Sequence, residues 1–215
     1  MSRAAIIGGL AAFLAACAGT PAPPDWQSSA HLALKNFEKK YLIGDSRAAD
    51  AEFARARAEL SSTGRPELVA RAELTRCAVQ VASLAFDECP GFNARQADAN
   101  ADAGAEERVY ADYLAARWQT LDVNRLPPQH RTVVGGGALP LDPLARLVAA
   151  GALLRAGRIT PAGIAAAIEA ASANGWRRPL LAWLGVEEKR AADAGDGEAA
   201  ARIRRRIEIV LIGAQ

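Results

Sequence analysis

Three kinds of side chain in this 215-residue sequence have the reactivity to do chemistry, and none stands in a complete catalytic set. The thiols are Cys17, Cys77 and Cys89. The imidazoles are His31 and His130, with no Cys, Asp or Glu at ligand spacing around either, so no metal centre is expected. Asp98, Asn100 and Asp102 alternate like the first ligands of a calcium loop. The sixth position, however, is Ala103 where the turn needs glycine, and the twelfth is Val109 where a bidentate glutamate belongs. That stretch reads as a solvated loop. Gly135-Gly136-Gly137 would cradle a phosphate only if Lys-Ser/Thr followed at a helix start; Ala138-Leu139-Pro140 follows instead, and the glycines read as a turn. There is no Gly-x-Ser-x-Gly elbow to expose a serine nucleophile. Neither a cofactor nor a catalytic residue is expected.

The charged residues are close to balance, Lys+Arg 26 against Asp+Glu 24, which is too even for a nucleic-acid footprint. One local excess stands out: Arg202, Arg204, Arg205 and Arg206, with Arg177-Arg178 further back. It reads either as a basic surface for anionic headgroups, glycan polymers or an acidic partner, or as a solvated face paired with Glu198, Glu208 or Asp196. Trp176 and Trp183 read as core.

The first cysteine closes an N-terminal segment with one charge, Arg3, and an apolar run from Ala4 to Ala16. A membrane span needs roughly 20 apolar residues, so the run suits the h-region of a secretory signal, residues 1–16. It ends in Leu14-Ala15-Ala16-Cys17, which resembles the lipobox of bacterial lipoproteins. The resemblance implies that Cys17 is lipidated and becomes the first residue of the mature chain. It also implies, because Ala18 stands where an aspartate would mark inner-membrane retention, an outer-membrane anchor with the body facing the periplasm. An ordinary cleaved signal with a chance cysteine is the other reading. Residues 17–25 are proline-rich and read as an extended tether. With Cys17 acylated, Cys77 and Cys89 remain as an even pair in an oxidising compartment, and a disulfide is the simple expectation. Twelve residues of unbroken helix would hold them about 18 Å apart, whereas a bridge needs Cα atoms about 4.4–6.8 Å apart. A disulfide therefore requires the helix to end near Ala85 and the chain to fold back at Asp87, Pro90 and Gly91. Two unpaired buried thiols are the alternative.

The elements that must position these residues are helices. Hydrophobic residues make up 51% of the chain, alanine dominates, and Val, Ile, Tyr and Phe are scarce, which favours an all-α fold. Trp26, Ala30, Leu34, Phe37 and Tyr41 form one stripe, ended by Gly44. Asp45 caps a second helix with Ala49, Phe53, Ala56 and Leu60 inward, and Pro66 opens a third with Leu74, Cys77, Ala78, Val81 and Ala85 inward. After a loop over 87–105 with room for a short helical turn, a fourth helix is expected over 106–121, carrying Tyr110, Tyr113, Leu114, Trp118 and Leu121. These make an N-terminal half, 26–122. Residues 123–142, with Pro127-Pro128 and the three glycines, read as a linker loop. The C-terminal half, 143–212, opens at Asp142-Pro143 and adds helices from Thr160-Pro161, from Pro179 and from Gly197, the last burying Ala200, Ile203, Ile207, Val210 and Leu211.

Gly44, Ala49, Phe53 and Ala56 have the turn-glycine, small, aromatic, small spacing of tetratricopeptide repeats, and the N-terminal half resembles that family over about 30 residues, departing from it at Ser61, where proline is usual. A generic Ala-rich bundle is the plainer reading. The resemblance implies antiparallel helical hairpins and a partner-binding groove. The expected role is thus a membrane-anchored scaffold that binds other envelope proteins, as such lipoproteins do in envelope assembly, secretion or pilus biogenesis. The competing class is an enzyme on peptidoglycan or another cell-wall polymer, with a glutamate acid in a cleft between the halves. A continuous concave surface favours the first, and a deep pocket around a desolvated carboxylate favours the second.

Overall fold

The computed structural model describes residues 24–96 and 104–212, and among them the chain is all-α, with ten α-helices and no strand. Helix α1 (Asp25–Ile43) ends at Gly44, whose φ of 93° lets its N–H and that of Asp45 close back on Tyr41 and Lys40. Asp45 then caps α2 (Ser46–Ser61), its carboxylate accepting from the Ala48 N–H at 3.1 Å. Pro66 sits in the first turn of α3 (Pro66–Ala82). The inward stripes meet as expected: the rings of Phe37 and Phe53 lie 5.0 Å apart, between Ala49 and Ala56, both fully buried.

Helix α3 ends at Ala82, so Ala85, expected on its buried face, is exposed beyond it. The reason is a closure at Leu84, φ 59°, where the N–H groups of Leu84 and Ala85 bond back to Val81 and Gln80. The chain reverses there into α4 (Pro90–Gln96). The helix expected over 106–121 is shorter, α5 (Ala105–Leu114). Ala116, φ 60°, breaks it, and Trp118 folds back so that its indole N–H donates to the Tyr113 carbonyl at 2.9 Å. The aromatic residue that extends the helical pattern is instead the group that satisfies the helix end. Leu121 likewise lies outside the helix.

The segment 123–142 holds two 3-10 turns, Val123–Arg125 and Pro128–His130, and α6 (Arg131–Val134), with Leu126, His130 and Val133 buried. Helices α7 (Pro143–Arg155) and α8 (Pro161–Ala173) start from side-chain caps, Asp142 on Ala145 N–H at 2.8 Å and Thr160 on Gly163 N–H at 3.1 Å. Then follow α9 (Arg177–Asp193), which begins two residues before Pro179, and α10 (Gly197–Ile212). The larger core unites both halves: Leu74, Cys77 and Val81 of α3 and Tyr113 of α5 pack with Leu147, Ile164 and Trp183. Helices α3 and α7 meet at the backbone, since a Cβ on Gly151 would lie 2.3 Å from the Val81 carbonyl oxygen. Trp183 donates its indole N–H to Ala82 O at 3.1 Å. A second cluster joins α1, α2 and α3, and Leu144 and Trp176 touch both. Arg178 ties the α1 end to the α9 start, with Nε donating to Tyr41 O at 2.7 Å and its guanidinium 4.2 Å from the Tyr41 ring centroid. Arg177 donates to Ile43 O at 3.0 Å, so both cations sit at the negative end of α1.

Along α10, Ala200 and Ile203 are buried and Ile207 and Val210 half-buried, but Leu211, expected inward, is 48% exposed. Leu211 lies at the edge of the strip that α9 covers, in the last turn of the last helix.

Candidate interaction groove

Short turns make α8, α9 and α10 alternate in direction, so α8 and α10 run parallel and both pack on α9. Between them, above α9, lies an open cleft of about 740 Å³. Ala165 and Ala173 of α8 and Ala199 of α10 keep its walls low, and Ile168 and Ile203 form its apolar bottom. Glu169 stands exposed on the α8 side, and Arg202 and Arg206 on the α10 side. Glu187, from α9, accepts two 2.7 Å bonds from Arg190, which hold its carboxyl below the ordinary glutamate range. The carboxylates of this groove are therefore solvated or ion-paired, which suits binding an extended polar and apolar surface and not proton donation.

The buried carboxylate lies elsewhere. Glu73 of α3 is 6% exposed, 3.2 Å from Arg57, and pressed beneath Gly91, where an added Cβ would lie 2.2 Å from its Oε2. It is an internal tie between α2, α3 and α4. A smaller cleft of about 350 Å³ is lined by Arg71, Tyr110, Arg125 and Arg131. Its cations are engaged within the fold: Arg71 with Glu107 at 2.7 Å, Arg125 with Asp122 at 3.2 Å, and Arg131 with Leu126 O at 2.9 Å.

Cys77 and Cys89 form a disulfide with Cα atoms 5.5 Å apart. The return loop is held by Asp87, whose carboxylate accepts from Cys89 N–H at 2.8 Å, and by Arg155, which donates to Asp87 O at 2.9 Å and pairs with Glu88. The two sulfurs and the Asp87 carboxylate lie within 4.8 Å of one another, but sulfurs bonded to each other are not thiolate ligands. Cys17 lies outside the described residues, as do Asp98, Asn100 and Asp102.

His31 is exposed on α1. His130 is 1% exposed, stacks on Tyr110 with ring centroids 5.6 Å apart, and meets the Tyr113 ring at a tilt with centroids 5.0 Å apart and Nδ1 3.3 Å from the Tyr113 hydroxyl. Burial pushes its pKa down to about 4 and raises those of both tyrosines. Gly135, Gly136 and Gly137 form the turn after α6, with Gly136 at φ 85°. Trp183 is core, as expected, and Trp176 bridges the two clusters. The Arg cluster divides: Arg177 and Arg178 hold α1, Arg204 pairs with Glu188 at 2.8 Å, Arg202 reaches Glu198 at 3.7 Å, and Arg205 and Arg206 stay in solvent. Sequence reasoning missed the aromatic cage of His130. The one signal for it is the Tyr110, Tyr113 spacing on one helix side, which names no partner from a proline-rich segment.

Compared with protein families, with curated proteins and with solved structures, the chain has no match to any.

Proposed function

We propose that this chain is an outer-membrane lipoprotein, anchored through Cys17 and facing the periplasm, whose helical-hairpin body is a scaffold for other envelope proteins. The observation that carries the binding role is the open groove between α8 and α10, with a low apolar bottom and charged rims whose carboxylates are solvated or paired. A groove between parallel helices fits the apolar face of a helix or an extended peptide, with the rims reading its charges. The anchoring rests on Leu14-Ala15-Ala16-Cys17, and the Cys77–Cys89 bridge accords with an oxidising compartment. The tetratricopeptide-like spacing of Gly44, Ala49, Phe53 and Ala56 supports a repeat scaffold of the kind used in envelope assembly, secretion or pilus biogenesis. An enzyme on cell-wall polymer is disfavoured by the pairing and cover of Glu73.

The test is photocrosslinking in intact envelopes from positions 165 and 173 in the groove and from position 58, on the outer side of α2. A defined protein captured only from the groove positions supports the reading. Glycan fragments alone, or the same products from all three positions, overturn it.

A further inference from the structure

Alternation of α7 to α10 places the start of α7 and the end of α10 at one end of the body, and Leu144 and Trp176, which touch the same cluster, belong to that end. Six large apolar side chains are exposed among the described residues, and four of them belong to elements that reach this end: Leu141 just before α7, and Ile209, Leu211 and Ile212 in the last turn of α10. Leu141 is 91% exposed and Ile212 72% exposed. Along α10 the exposed residues Arg202, Arg205, Ile209 and Ile212 follow at steps of three, four and three, one stripe that is basic in the middle of the helix and apolar at its end. Among the described residues no carboxylate lies at ion-pair distance from Arg205 or Arg206. The nearby acids are mostly committed: Asp142 and Asp45 cap α7 and α2, Glu198 faces Arg202, and Glu208 alone stands free on α10.

We propose that this end of the body rests on an anionic lipid surface, with Leu141, Ile209 and Ile212 entering the headgroup region and Arg205 and Arg206 meeting lipid phosphates. A basic amphipathic helix with a few apolar residues at its tip binds in this way, each part too weak alone. The inference rests on the anchoring proposed above. Contact at this end would hold the body down.

The test is hydrogen exchange on the full chain, isolated from membranes and placed in vesicles of phosphatidylethanolamine with phosphatidylglycerol, against vesicles of phosphatidylethanolamine with phosphatidylcholine. Peptides covering 202–212 and 139–146 are expected to exchange roughly tenfold more slowly on the anionic vesicles. Molar salt, the double variant Arg205→Glu/Arg206→Glu, and Ile209→Ser/Ile212→Ser are each expected to remove the difference; all four positions are exposed and leave the core intact. Equal exchange on the two vesicle types overturns the proposal, whether both protect or neither does. So does protection without vesicles that grows with protein concentration, which assigns the patch to a second copy. An intact mass lacking the acyl groups defeats the anchoring alone, and the exchange comparison is then read on vesicles added to that chain.

Discussion

Lowering the pH through the titration of His130 is expected to weaken the fold in a window that few other groups share. The imidazole is 1% exposed, caged by Tyr110 and Tyr113, and burial brings its pKa from 6.5 to about 4, against a small opposing pull from Asp142. A depressed histidine pKa means that the fold prefers the neutral ring. Its stabilisation is complete above the unfolded value of 6.5 and is lost as pH falls towards 4. The whole difference corresponds to about 3 kcal/mol, of which about 2 kcal/mol is gone by about pH 5. For a chain of this size that is a fall in Tm of roughly 4–8 °C between about pH 7.5 and about pH 5. Calorimetry across that range on the chain and on His130→Gln measures it, the variant being expected to stay nearly flat. Glu67 and Glu187, whose pKa values lie below the ordinary 4.5 because of Arg65 and Arg190, lose their contribution only below that pH and leave the window clear. A wild-type profile as flat as that of the variant, or an imidazole NMR titration centred near 6.5, would refute the reasoning.

Three further outcomes follow from the packing. Cys77→Ser/Cys89→Ser is expected to lower stability in urea by about 3 kcal/mol, the value for releasing a short closed loop; an unchanged midpoint would show that the bond constrains nothing. Gly151→Ala puts a methyl 2.3 Å from Val81 O and must push α3 and α7 apart. It is expected to cost about 1–3 kcal/mol or more by chemical denaturation, whereas the neutral or favourable effect usual for Gly→Ala in a helix would contradict the close approach. Arg178→Ala removes the 2.7 Å bond to Tyr41 O and the contact with the Tyr41 ring, and is expected to cost about 1–2 kcal/mol, with faster exchange at the end of α1.

Local signals made most helices legible. Gly44-Asp45, Asp142-Pro143 and Thr160-Pro161 are punctuation that acts within one turn, and each stops or starts a helix where its chemistry requires. What escaped depended on contacts that helical spacing alone does not specify. Trp118 continues the helical spacing of Tyr110, Tyr113 and Leu114, yet its N–H gains more by closing on Tyr113 O and stacking on that ring at 5.6 Å. Leu211 matches the inward stripe of α10, but periodicity does not say how wide a strip α9 covers. Arg177 and Arg178 look like part of a basic surface until the end of α1 is placed beside them, over 130 residues away in sequence. The groove was legible only as an expectation that paired helices leave a concave side. Which helices line it depends on the packing of α8 and α10 on α9.

Display from a membrane depends on the chemistry of one thiol. The N-terminal peptide of the chain isolated from bacterial envelopes should begin at Cys17, with its sulfur joined to a diacylglyceryl group, as read by mass spectrometry. An N-terminus at Met1, or a mature chain with Cys17 unmodified or removed, would contradict the claim that this helical body is displayed from a membrane by its lipid.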